Sequence, residues 1–68
     1  MSDSSTIVSS WEEIRALVEQ VDLDIRKNAK GNASAGIRAR KGLRALKNWS
    51  GDLVKATVVA DKARKADK

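Results

Sequence analysis

Asn28-Ala29-Lys30-Gly31-Asn32 separates two long stretches of helical periodicity, and its reading decides the fold. Gly31 can take the positive φ that a helix C-cap requires. Lys27 and Lys30 suit the negative end of the preceding helix dipole. Asn32 or Ser34 can cap a following helix with a side-chain oxygen. Read as a tight turn, the segment makes the chain an antiparallel helical hairpin. The alternative is one long helix kinked at Gly31.

Upstream of the turn, Trp11, Ile14, Val18, Val21 and Ile25 are spaced by three, four, three and four residues. That is the heptad rhythm of a helix with one apolar face, and Leu17 widens the stripe while Leu23 falls outside it. Ser10-Trp11-Glu12-Glu13 fits a capping box and predicts that this helix starts at Ser10. Residues 1–9, rich in Ser and Thr with only Ile7 and Val8 as branched apolar residues, are expected to form a flexible tail. The hairpin domain is then 10–68.

Downstream, Ala39, Gly42, Leu46, Trp49, Leu53, Ala56, Ala60 and Ala63 alternate spacings of three and four without a slip. They predict a long second helix from about 33 to about 65. Gly51 costs a helix about 1 kcal/mol against alanine and is the one candidate for a break. The chain has no proline, so the helix is read as continuous. Counting outward from Gly31 sets Ile25 opposite Ile37 or Ala39, Val21 opposite Gly42, and Val18 opposite Leu43 or Leu46. Trp11 then meets Trp49 or Leu53. A first helix ending near Trp11 leaves the second unpaired from about residue 54. Trp49, Leu53, Val54, Val58 and Val59 are therefore expected to form an oligomer interface. The predicted architecture is all-α, a hairpin with a long second helix that assembles into a coiled-coil-like dimeric bundle.

Sixty-eight residues make one small domain, and a chain of that size buries only about 60% of its unfolded surface. Without cysteine or histidine it has no disulfide, no thiolate and no imidazole for a metal, so association is the expected route to stability. The missing His, Cys and Tyr leave no base to activate a serine, which argues against an enzyme. No small-molecule substrate, metal or other cofactor is expected. No apolar run approaches the roughly 18–20 residues of a membrane span, and a cytoplasmic location is expected.

Charge is distributed unevenly. Residues 1–25 hold six acids against one base; residues 26–51 hold eight bases and no acid. At about 100° per residue, Arg40, Lys41, Arg44, Lys47, Lys55, Lys62 and Lys65 gather opposite the apolar seam of the second helix. Within 33–51 no base has an acidic i,i+4 partner. The pattern suits a polyanion. The ordinary alternative is a solvated face paired with Glu12, Glu19 and Asp22 of the first helix. Both tryptophans fit the core seam, which leaves no stacking platform for single-stranded bases and favours the backbone of double-stranded DNA. A helical protein–protein assembly module with a basic docking face is the competing function. Peripheral membrane binding is a third, weakened by an apolar stripe rich in Ala and Gly.

Lys30-Gly31-Asn32, Ala35-Gly36, Arg38 and Arg40-Lys41 form a KGNxxAGxRxRK pattern that resembles the bacterial linker-histone-like nucleoid proteins. The likeness extends over about 17–65. It implies a helical, nucleoid-associated protein that binds DNA without marked sequence preference and compacts the chromosome. Lys30, Arg38, Arg40 and Lys41 are the DNA contacts the resemblance implies; the stripe adds Arg44, Lys47 and Lys55. Ala33 stands where such proteins usually carry a lysine, and Asn48-Trp49-Ser50-Gly51-Asp52 is less charged than its counterpart.

Overall fold

The computed structural model describes residues 4–66, and side-chain surroundings for 6–64. It contains two helices, α1 (Ser4–Ala29) and α2 (Ala33–Ala66), packed along each other as an antiparallel hairpin. The rod measures 56 × 16 × 14 Å.

The turn is built as the sequence predicts. Gly31 has φ 107°, a conformation that glycine adopts without steric cost. Its amide donates to the Asn28 carbonyl at 2.9 Å, and the Asn32 amide donates to the Lys27 carbonyl at 3.1 Å. This pair of bonds is a Schellman motif, which satisfies carbonyls that the end of α1 would otherwise leave open. Asn32 then caps α2, its Oδ1 accepting from the Ala35 amide at 2.9 Å. Of the two capping candidates, Asn32 is the one used. The Asn28 side-chain amide donates to the Asn32 carbonyl at 3.1 Å and ties the two helix ends together.

The start of α1 differs from expectation. The helix begins at Ser4, so Ser10 lies inside it and caps nothing. Residues 4–9 of the expected tail are helical, and 1–3 lie outside the described residues. Ile7 supplies the reason: it stands seven residues before buried Ile14, prolongs the inward line by one heptad, and is itself half-buried. The longer α1 also covers more of α2, and Ala60 is buried. The free overhang therefore shrinks to the last few residues of α2 instead of beginning near Val54.

The inward line of α1 is Ile7, Ser10, Ile14, Leu17, Val21 and Asp24, not the stripe through Trp11, Val18 and Ile25, which stay exposed. Both lines share Ile14 and Val21. Asp24 decides between them, because turning α1 to bury Ile25 would carry the carboxylate away from Arg38. On α2, Ala35, Ala39, Gly42, Leu46, Leu53, Ala56 and Ala60 face inward, close to the predicted seam, while Trp49 is more exposed than expected. Trp11 borders a cleft with Leu53 and Val54; Trp49 borders another with Ile14 and Asp52. Leu53 is thus the counterpart of Trp11. Ile25, expected to meet Ile37 or Ala39, is exposed, as is Ile37, while Ala39 is buried.

Val21 faces Gly42, as the register requires. A Cβ added at Gly42 would lie 2.5 Å from Val21 Cγ2, too close for any real contact. Gly42→Ala should therefore lower stability by about 1–3 kcal/mol of overpacking, less about 1 kcal/mol of helix propensity gained. Val21→Ala in the same chain should recover part of the loss. Thermal melts followed by circular dichroism check both; a Gly42→Ala chain more stable than the wild type would contradict this close approach.

Candidate nucleic-acid interface

The cations of α2 divide between faces. Lys41, Arg44, Asn48, Gly51, Lys55, Val58 and Lys62 follow one another by three, four, three, four, three and four, and all are exposed. Each stands two residues after a seam position or close to it, which at 100° per residue puts the row on the side of α2 away from α1. Arg40 and Lys47, one residue after the seam, border this row. Lys41 to Lys62 spans about 32 Å at 1.5 Å per residue. Lys30 lies apart, in the turn at the end of the rod.

Acids do not neutralise the row. Among the described residues Glu12 pairs with Arg15 at 3.3 Å and Asp22 with Arg26 at 3.0 Å, each within α1. Asp61 pairs with Arg64 within α2. Arg40, Lys41, Arg44, Lys47, Lys55 and Lys62 form no ion pair with any described acid. The ordinary alternative, in which Glu12, Glu19 and Asp22 of α1 pair with this face, is not realised: i,i+3 and i,i+4 partners on α1 take Glu12 and Asp22, and Glu19 reaches none of these cations.

Arg38 is the exception among the predicted contacts. It precedes the seam residue Ala39 and so emerges beside the seam, about 160° round the helix from Arg40 but only about 60° from Lys41, with which it borders the same groove against α1. Its Nε donates to Asp24 Oδ1 at 3.1 Å, and Gln20 Nε2 donates to Asp24 Oδ2 at 3.4 Å. The Asp24 side chain is only 3% exposed while that of Arg38 is 50% exposed. The carboxylate has been taken out of water and depends on the guanidinium for compensation, whereas Arg38 keeps its outer nitrogens near solvent. Residues 24 and 38 lie equally far from Gly31, so the hairpin register already placed them opposite each other. Sequence reading assigned Arg38 to DNA and overlooked this pairing. Beside it runs an open groove of about 450 Å³, with Leu17, Val21, Gly42 and Ala45 along it and Lys41 and Trp49 at its border.

The residues expected at an oligomer interface do not share one face. Leu53 is half-buried in the hairpin, and Val54 lies beside Trp11. Val58 is on the outward row, and Val59 stands about 140° round the helix from Val54. What sequence reading missed is an apolar flank running along both helices, made of Trp11, Val18 and Ile25 of α1 with Leu43 and Val54 of α2, all exposed. Its signal was the second of the two heptad lines on α1.

Among the described residues no group of three or more acids could hold a metal ion, and no helix is long and apolar enough to cross a membrane.

The family model described as Histone H1-like protein Hc1 matches residues 9–65. The chain belongs to this family. No curated protein and no solved structure matches it. In this Hc1-type chain the match takes in the turn, the Asp24–Arg38 pair and the whole outward row of α2.

Breaking the pair from the arginine side should be costly. Arg38→Gln leaves Asp24 buried and uncompensated, and stability should fall by about 3 kcal/mol, the lower part of the range because Arg38 is half exposed. Asp24→Asn with Arg38→Gln should recover much of that loss. Urea titration of the four chains measures the coupling; additive losses would mean the pair does not hold the register.

Proposed function

We propose that this protein binds double-stranded DNA through its phosphate backbone, without sequence preference, and organises or compacts it. The observation that carries this reading is the outward row of α2, six cations with Arg40 and Lys47 included, none paired with a described acid. Membership of a histone H1-like family supports it. Lysine and arginine on a straight helix can displace counterions from phosphates, and that contribution is blind to sequence. Arg40, Lys41, Arg44, Lys47, Lys55 and Lys62 are the proposed contacts, with Lys30 adding charge at the turn. Arg38 positions the hairpin and contributes at most its outer guanidinium nitrogens. A cytoplasmic, nucleoid-associated location goes with this reading, and it assigns the chain no catalysis.

The same reading takes the working unit to be at least two chains. The flank of Trp11, Val18, Ile25, Leu43 and Val54 is an apolar strip on a rod whose own core consists mainly of alanines and two branched residues. Exposed strips of this kind mark association surfaces, and helical hairpins close into bundles by covering them. The strip borders the cationic row instead of lying within it, so a second chain can sit there without masking the cations. Sedimentation should give a multiple of 7.4 kDa. Val18→Glu, at an already exposed position, should reduce the particle to a single chain that remains helical. A helical wild-type monomer would remove this part of the reading.

Salt dependence tests the DNA contact itself. Log affinity should fall linearly with log salt at a slope near −0.9 per phosphate neutralised. Six contacts, from Arg40, Lys41, Arg44, Lys47, Lys55 and Lys62, imply a slope of about −5 per chain and about −11 when two chains engage one duplex. Arg40→Gln with Arg44→Gln preserves helix propensity and should shrink the slope by about two per engaged chain. Random and defined duplexes should lose affinity alike. Arg15→Gln, on α1, should change little. A double variant that stays helical and keeps wild-type affinity and slope would defeat the proposal.

A further inference from the structure

We infer that α2 crosses the duplex at Gly51, where its bare backbone meets the sugar-phosphate ridge while cations on both sides reach round to phosphates. This rests on the DNA-binding reading above and locates the contact within it.

Gly51 stands inside a continuous helix, and glycine weakens a helix interior more than any residue except proline. At the other three glycines the structure gives a reason. Gly31 has the positive φ of the turn; a Cβ at Gly36 would strike Asn28, and one at Gly42 would strike Val21. At Gly51 nothing lies within 4 Å of an added Cβ, and its φ is not positive. Neither the hairpin's packing nor its backbone geometry calls for glycine here. The remaining structural use of a glycine is close approach of the backbone to something outside the chain.

Two placements identify that partner as a polyanionic cylinder. Gly51 lies on the outward row, between Lys47 and Lys55 one turn to either side, and neither pairs with a described acid; the adjacent Asp52 lies about 100° round the helix, on the cleft it shares with Trp49 and Glu13. It also falls at the middle of that row, ten residues after Lys41 and eleven before Lys62. Two rods that cross touch at one point and diverge from it in both directions. The helix therefore needs least side-chain bulk at the crossing and progressively longer reach away from it. Towards the turn the row follows this order, from Gly51 through short polar Asn48 to Arg44 and Lys41; on the other side Lys55 stands next, then Val58 and Lys62, so cations flank the gap in both directions. A row serving solvation alone has no use for a gap at its centre.

The test compares wild type, Gly51→Ala, Gly51→Leu and Ser50→Ala, all as full-length chain. Binding to a labelled random-sequence duplex is measured by fluorescence anisotropy at several salt concentrations. Thermal melting by circular dichroism and particle mass without DNA are measured alongside. Gly51→Ala should raise Tm by about 4–8 °C, since the side chain enters open space and helix propensity improves. Its affinity for DNA should nevertheless fall several-fold, and Gly51→Leu should bind more weakly still, each with a salt slope close to wild type because the cations remain. Ser50→Ala, the adjacent residue on another side of α2, should bind as wild type does. A Gly51→Ala chain that melts higher and binds as well as or better than wild type overturns the crossing point while leaving the DNA reading intact. Unchanged affinity together with an altered particle mass makes Gly51 a contact between copies and overturns it equally. Loss of all salt-dependent binding in the wild type removes both this inference and the reading beneath it.

Discussion

The register of the hairpin is the constraint from which everything else descends. The positive φ of Gly31 ends α1, the Schellman bonds close the turn in the fewest residues, and Asn32 restarts the helix at once. With so short a connection, positions equidistant from Gly31 must face each other. Asp24 meets Arg38, and Val21 meets Gly42. Alanine and glycine on α2 let the helices approach closely, and the branched side chains of α1 fill the space so created. No single large side chain anchors this core. It is a long shallow contact, in which each position contributes a little and a slip of register would misplace all of them.

Electrostatics reinforce that register. A carboxylate removed from water among aliphatic side chains is tolerable only beside its guanidinium, so a slipped hairpin is penalised by an uncompensated charge as well as by lost packing. Arg38 thereby becomes part of the interior although half its side chain is in solvent. Arg40, Lys41, Arg44, Lys47, Lys55 and Lys62 carry no such structural duty. They occupy the side of α2 that the seam cannot use, and this separation lets one helix pack with one face and hold its charge on the other.

Much of this could be read from the sequence, and the failures have physical causes. Turn residues act locally, so Gly31 and Asn32 were legible from their own chemistry. The seam of α2 was legible because its spacing never slips. The start of α1 was misplaced because a good capping box at Ser10 competed with the weaker signal of Ile7, and tertiary burial of Ile7 prevailed over local capping. The inward face of α1 was ambiguous because two heptad lines share Ile14 and Val21; buried Asp24, bonded to Arg38, resolved it. The cationic row was visible from composition and helical geometry. The diversion of Arg38 from it required the two helices to be considered together.

The dimensions of the rod bear on how densely such a protein could coat its ligand. At 3.4 Å per base pair, a body 56 Å long laid along a duplex would occupy about 16 base pairs, whereas one 16 Å wide set across it would occupy only about five. Orientation alone thus changes the number of chains a given length of DNA can hold about threefold. A crossing arrangement also leaves both ends of each rod standing clear of the duplex that holds its middle. In the proposed crossing, the end that carries Lys30 and the turn would be a small positive tip held away from the first duplex and turned towards a neighbouring one.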